Sequence, residues 1–210
     1  MASSDVELVN VALRRVGQQV LTSLSDQNEK ARVASDLYAN VRDYVLGIHP
    51  WNCATKRVDL AQSSTAPAFG YSRFYPAPTD FLRLIRTEWP ESMWRQELIT
   101  VGGTDILGFA TDESPFRISY VARITSVNLI PPVLQDAIAW RLASEMSARL
   151  TGSDSKQGGL WSVYDRALAE ARYQDSVQAP PLESLEPRAL IDARVGWGRW
   201  QGLDNTVVGG

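Results

Sequence analysis

The amino-acid sequence predicts an α+β, mainly α, protein: a four-helix bundle with an inserted small antiparallel β platform and an extended C-terminal tail. Three observations predict it. Apolar residues recur at helical spacing in two blocks, one near each end of the chain. Between the blocks, short β-branched and aromatic runs alternate with turn residues. Beyond Pro180-Pro181 neither pattern continues. The corresponding division is 1–53 with 129–178 for the helical bundle, 54–128 for the β platform and 179–210 for a docking tail.

The first helix is expected from Ser4 to Val16, with Val6, Val9, Leu13 and Val16 on one face and Gly17 as its stop. The second is expected to open at Asp26, with Glu29 three positions on as a capping box. Its stripe is Ala31, Ala34, Leu37, Val41, Tyr44, Val45 and Ile48, and Pro50 ends it after roughly 30 Å. Five strands follow in expectation: Arg57–Ala61, Phe81–Thr87, Glu97–Val101, Ile106–Thr111 and Phe116–Ile124. Gly102-Gly103 reads as a hairpin turn, and the run from Phe116 alternates as a strand with one wet face. Pro131-Pro132 starts the third helix, whose stripe is Leu134, Ala137, Ile138, Leu142, Met146 and Leu150, closed by Gly152. Asp154 precedes a loop, after which the fourth carries Leu160, Trp161, Tyr164, Leu168 and Ala171 to about Val177. Alanines 143, 148, 167, 169 and 171 would let the last two helices approach closely.

Composition narrows the function classes. The 210 residues are 44% hydrophobic and 21% charged, with a net charge of −3, and only three of the 21 basic residues are lysines. A protein that grips nucleic acid clusters its positive charge against phosphates, so this balance disfavours that role. Seven tryptophans with arginine as the dominant cation is a composition common at protein–protein interfaces. No run of about eighteen apolar residues occurs, so no membrane span is expected. The polar N-terminus lacks a signal segment, which points to the cytoplasm as the place of synthesis.

No catalytic constellation emerges. Cys53 is the single cysteine and His49 the single histidine, excluding a disulfide framework and the common multi-histidine metal sites. His49 and Cys53 are the most enzyme-like pair, because an imidazole can lower a thiol pKa. Pro50 between them prevents one helix from presenting both, and a packed helix-to-strand corner around Trp51 is the plainer reading. Asp112-Glu113 and Glu88 with Glu91 read as solvated carboxylates near strand ends. Phosphate-binding and nucleophile-elbow motifs are absent, and no cofactor is expected.

Residues 179–210 hold too little apolar material for a core and too much for a solvated linker. The expectation is a segment that orders by docking on another chain. Trp197 and Trp200 would anchor it, with Leu190, Ile191, Arg194, Val195 and Arg199 in support.

Three phrases in order carry a family resemblance. They are Trp51-Asn52-Cys53-Ala54-Thr55-Lys56-Arg57, then Phe69-Gly70-Tyr71 leading to Pro78-Thr79-Asp80-Phe81-Leu82-Arg83-Leu84, then Pro132-Val133-Leu134-Gln135-Asp136-Ala137 through Leu142-Ala143-Ser144-Glu145-Met146-Ser147. With the element order, they make the chain resemble the podophage tail tubular protein A, or head-to-tail adaptor (connector), family of bacteriophage virion proteins. Ala77-Pro78 stands where that family more often has Leu-Pro. The resemblance implies a non-enzymatic viral protein assembled as a ring, typically a dodecamer, between the portal protein and a tail nozzle of the tail tubular protein B kind. It also implies a C-terminal segment that clamps the portal, and a channel through which DNA passes during ejection without specific binding. Two alternatives stay open at this stage: another phage neck or assembly interaction protein, and a Cys-dependent hydrolase using Cys53 with His49.

Overall fold

Ser4 opens α1 (Asp5–Val16): its backbone is extended and its hydroxyl accepts a hydrogen bond from the Glu7 amide at 3.3 Å. Gly17 closes the helix at φ 80°, which lets its amide and that of Gln18 satisfy the Arg14 and Leu13 carbonyls. In the computed structural model the described residues are 2–178, and a boundary between two compact units falls after Asp175. The predicted docking residues Leu190, Ile191, Arg194, Val195, Trp197, Arg199 and Trp200 lie outside the described residues.

Helix α2 (Glu29–Gly47) starts later than the capping-box reading places it. Asn28 is the cap, accepting from the Ala31 amide at 2.9 Å, and Glu29 is the first helical residue. Asp26 instead turns its carboxylate back to the amides of Thr22 and Ser23, holding the α1–α2 loop. Asn10 closes that loop with reciprocal hydrogen bonds to the Leu21 amide and carbonyl.

Six strands follow, in two three-stranded antiparallel sheets. β1 (Thr55–Leu60), β6 (Phe116–Ala122) and β3 (Phe81–Thr87) form an inner sheet in the order β1-β6-β3. β2 (Arg73–Pro76), β5 (Thr104–Thr111) and β4 (Trp94–Val101) form an outer sheet in the order β2-β5-β4. The two-residue turn Gly102-Gly103, with φ of 60° and 84°, joins β4 to β5 and pairs Val101 with Thr104. β2 is the strand missing from the sequence reading. It is four residues long and ends in Pro76, which only an edge strand tolerates. Helix α3 (Pro132–Thr151) and helix α4 (Asp154–Gln178) complete the described chain. α4 begins at Asp154 and runs straight through Gly158-Gly159, where the sequence reading has a loop.

The expected four-helix bundle with a small β platform is therefore not the fold. The chain is α+β in three layers, helices on inner sheet on outer sheet, and the six strands are as much a part of the core as the helices. The reason lies in β6. Its Phe116, Ile118, Tyr120 and Ala122 point into an aromatic core between the sheets, shared with Tyr75, Phe109 and Trp94. Val121, on the other face, is fully buried in the helical core with Ala54, Ile124 and Leu142. A strand read from alternation as wet on one face is thus covered on both over most of its length, with Arg117 left outside. β3 serves both cores as well: Phe81 and Leu84 face the outer sheet, Leu82 and Ile85 the helices, with register shifts that let the strand do so. Within the helical layer α3 is central, packed against both α1 and α2, and buries even Gln135, Ser144 and Ser147. Gln135 satisfies itself by accepting from the Ala2 amide and donating to the carbonyls of Val127 and Ile130.

One polar junction ties the strands of the inner sheet together. Asp80, at the entry to β3, accepts hydrogen bonds from Lys56 of β1 at 2.6 Å and from the Tyr120 hydroxyl of β6 at 2.9 Å. Burial pushes the Asp80 carboxyl up, but the hydrogen bonds from Lys56 and Tyr120 and the lysine's charge outweigh it and hold the group below its ordinary range. Burial and the same carboxylate push the Tyr120 phenol up to about 12.

Two outcomes are expected. Asp80 is more acidic folded than unfolded, so its contribution is present above the unfolded value of about 4 and is lost as pH falls through the folded one. Urea midpoints at pH 6 and pH 3 should therefore converge between wild type and Asp80→Asn as the pH is lowered. At Gly108 a Cβ would meet the Tyr75 carbonyl oxygen at 2.4 Å and the Phe74 ring at 2.5 Å. Gly108→Ala should then cost about 1–3 kcal/mol in the same assay.

Candidate interaction surface

The enzyme-like pair sits at a packed corner between α2 and β1. Trp51 is 1% exposed and donates its indole N–H to the Val45 carbonyl at 2.9 Å, pinning the chain as it leaves α2. Asn52 donates its backbone amide to the Asp175 carboxylate and its side-chain amide to the Asp175 carbonyl, which fastens α4 to the same turn. The His49 imidazole stacks edge-on against Trp51 at 4.6 Å and turns Nε2 toward Asp175 at 3.5 Å. Burial lowers the imidazole's pKa, and Asp175 opposes that only in part. Burial, reinforced by the Asp175 charge, pushes the Cys53 thiol up to about 11. An activated thiolate needs the opposite on both counts: a cationic partner and a depressed pKa. Cys53 packs at the edge of the helical core instead.

The acidic neighbours are accounted for by local bonds. Asp112 accepts from the Ser72 amide and pairs with the Arg73 guanidinium through its carbonyl, closing the β2–β5 end. Glu88 pairs with Arg117 at 3.3 Å, and Glu91 is an exposed residue in the turn before β4. Among the described residues no group of three His, Cys, Asp or Glu stands together as a metal site requires. No described helix is long and apolar enough to cross a membrane.

Two surfaces stand out instead, and the sequence reading named neither. The first is built on Arg141 of α3. Its guanidinium carbon lies 4.1 Å from the Trp161 ring centre, 4.7 Å from that of Tyr44 and 5.5 Å from that of Tyr164. Glu145, one turn on, takes a 2.8 Å ion pair from Nη2, while Nε and Nη1 are buried with no hydrogen-bond acceptor among the described residues. Aromatic π faces stand in for the missing oxygens. Tyr164 is buried beneath, and Tyr44 (51% exposed) and Trp161 (38%) open onto solvent. A fixed arginine flanked by half-exposed Tyr and Trp is the residue set that dominates interface energies. The signal in the sequence was Trp161 and Tyr164 on α4, but nothing linear joined them to Tyr44 and Arg141.

The second lies on the outer sheet. Leu98 of β4 and Leu107 of β5 are cross-strand partners at 64% and 37% exposure, and Phe69, in the loop before β2, is 90% exposed. A groove of about 470 Å³ runs between Ala66–Phe69 and Glu97–Thr100 along the free edge of β4. Exposed apolar clusters on a long edge strand mark contact surfaces or aggregation hazards.

The chain matches no protein-family model and no curated protein sequence. One outcome checks the corner. At pH 8 a thiol with a pKa near 11 carries roughly a hundredth of the thiolate of a free cysteine or less. Cys53 should react with a thiol-directed disulfide reagent at least about tenfold more slowly than free cysteine, and at the free rate only after denaturation.

Proposed function

We propose that this chain is a virion structural protein: a head-to-tail adaptor that forms a homo-oligomeric ring between a portal protein and a tail nozzle, leaving a channel through which DNA passes without specific binding. It would act in the neck of the virion after a period in the host cytoplasm.

The observation that carries this reading is the pair of unlike exposed surfaces on one subunit. A closed ring is built from heterologous contacts, in which each subunit offers two different patches. The Tyr44–Arg141–Trp161 cluster on the helices and the Phe69–Leu98–Leu107 patch on the outer sheet supply such a pair. The phrases behind the resemblance also come together in the fold. Lys56 of the first reaches Asp80 of the second, and the third is the central helix α3 that packs the same core. That supports a likeness of architecture rather than of scattered residues. The Trp-rich segment 179–210 supplies the portal clamp in this reading, with Trp197 and Trp200 as anchors. A hydrolase based on Cys53 is disfavoured by the raised thiol and by His49 facing Asp175.

Sedimentation with the portal ring encoded by the same genome tests the reading. The intact chain should co-sediment in ring stoichiometry, and a chain ending at Ala179 should not. Trp161→Ala and Leu98→Ala should each lower ring occupancy at least about tenfold, since interface anchors contribute about 2 kcal/mol or more. Absence of portal binding by the intact chain would leave only a generic assembly role.

A further inference from the structure

We infer that the open end of the inner sheet is a binding site for a single carboxylate carried by a polypeptide partner, held by Arg57, Arg86 and Ser119.

The helices cover only part of their side of this sheet. Val121 is fully buried there, whereas Arg117, two rows further along β6, is exposed. Cross-strand neighbours share a face, so register defines what lies between. In one row Arg57 of β1 and Arg86 of β3 flank Ser119 of β6; in the next, Asp59 of β1 flanks Arg117. All five, with Glu88, line a groove of about 450 Å³.

The two rows differ in how their charge is met. Arg117 is matched on both sides, by Asp59 at 3.4 Å and Glu88 at 3.3 Å. Arg57 and Arg86 have no ion pair or hydrogen bond among the described residues. Two guanidinium groups on either side of one strand repel each other, and nothing in their row offsets this. Their Cα atoms are separated by two strand spacings, about 10 Å, so both side chains can converge on one anion above β6. Below that point is Ser119, 93% withdrawn from solvent at a relative exposure of 7%, with a hydroxyl that has no partner among the described residues. Two arginine forks and a hydroxyl donor make a carboxylate-binding set.

Charge selects the occupant. The groove holds three arginines against two carboxylates, a net charge of +1. A carboxylate side chain supplies the single negative charge that balances it. A run of phosphates would place further negative charge beside Asp59 and Glu88, which border the site. The partner is therefore a protein segment bearing one Asp or Glu among neutral residues, rather than a nucleic acid. Exposed arginines bind such a group weakly one at a time, so the contact suits a repeated assembly, where avidity multiplies it. The site's chemistry does not depend on the adaptor reading.

The test is a titration of the full chain followed through the arginine Nε–Hε signals in nitrogen–proton correlation spectra. The signals are assigned with Arg57→Gln and Arg86→Gln, two surface variants whose urea midpoints should match wild type. The probes are acetyl-Ala-Glu-Ala-amide, its Gln counterpart, inorganic phosphate and a single-stranded oligonucleotide. Saturable shifts of both arginine signals with the Glu peptide and none with the Gln peptide are expected. Either variant should weaken the Glu peptide by at least about fivefold, with only partial recovery in Arg57→Lys, which keeps the charge but loses the fork. Unmoved arginine signals at the peptide's solubility limit would sink the proposal. So would saturation by phosphate or the oligonucleotide at lower concentration than by the peptide.

Discussion

A β-strand that must be covered on both faces organises this protein. β6 sends Phe116, Ile118 and Tyr120 one way and Val121 the other, and both sets are withdrawn from water. Removing large apolar side chains from water is the dominant favourable term in folding, at about 25 cal/mol for each Å² covered. A single sheet with helices on one side could satisfy Val121 but would leave the aromatic face wet. The outer sheet exists in this sense because of β6: Tyr75 stacks on Phe116 at 5.4 Å, Phe109 packs beside it, and Trp94 closes the end. Gly108 meets a separate requirement within the outer sheet, since a Cβ there would run into the Tyr75 carbonyl and the Phe74 ring.

Double burial leaves little room for polar groups, and several of those present bridge separate elements. Asp80 joins β1, β3 and β6 through Lys56 and Tyr120, and Asp175 joins α4 to the corner after α2. Arg123, just past β6, reaches Asp43 of α2 at 2.6 Å. These bonds matter less for gross stability than for specificity. A slip of β3 against β6 would separate Asp80 from Tyr120 and strand a carboxylate at the edge of an aromatic core. The corner buries Trp51, and burial there also pushes the Cys53 thiol up to about 11.

What the molecule spends on its surface has a different character. Tyr44, Trp161, Phe69 and Leu98 are among the large apolar side chains left exposed. Arginine accompanies the first patch as a stacked cation and lines the sheet groove as unmatched charge. Both arrangements suit recognition of other polypeptides, and neither offers a nucleophile beside a base. The proposed assembly role rests more on this surface chemistry than on the resemblance of phrases.

Several elements could be read from the sequence because their cause is local. Ser4 and Gly17 bracket α1 by capping chemistry, the stripe from Leu134 to Met146 sets α3, and Gly102-Gly103 dictates a two-residue hairpin. Phe81–Thr87 could be placed to the residue from its composition alone. The layer arrangement could not, because it depends on what covers β6, and alternation looks the same whether Ser119 and Val121 face water or a helix. β2 escaped notice because its four residues sit in a Pro- and Ser-rich stretch and form a strand only by pairing with β5. The interaction surface was hidden for the same reason. Tyr44, Arg141 and Trp161 come from three helices, and Arg57, Ser119 and Arg86 from three strands. The sequence alone determined the ends of α1, the stripe of α3 and the β4–β5 turn, through bonds and spacings between near neighbours. Only the tertiary structure decided which faces stay dry and which charges go unmatched, since both depend on contacts between residues far apart in the chain.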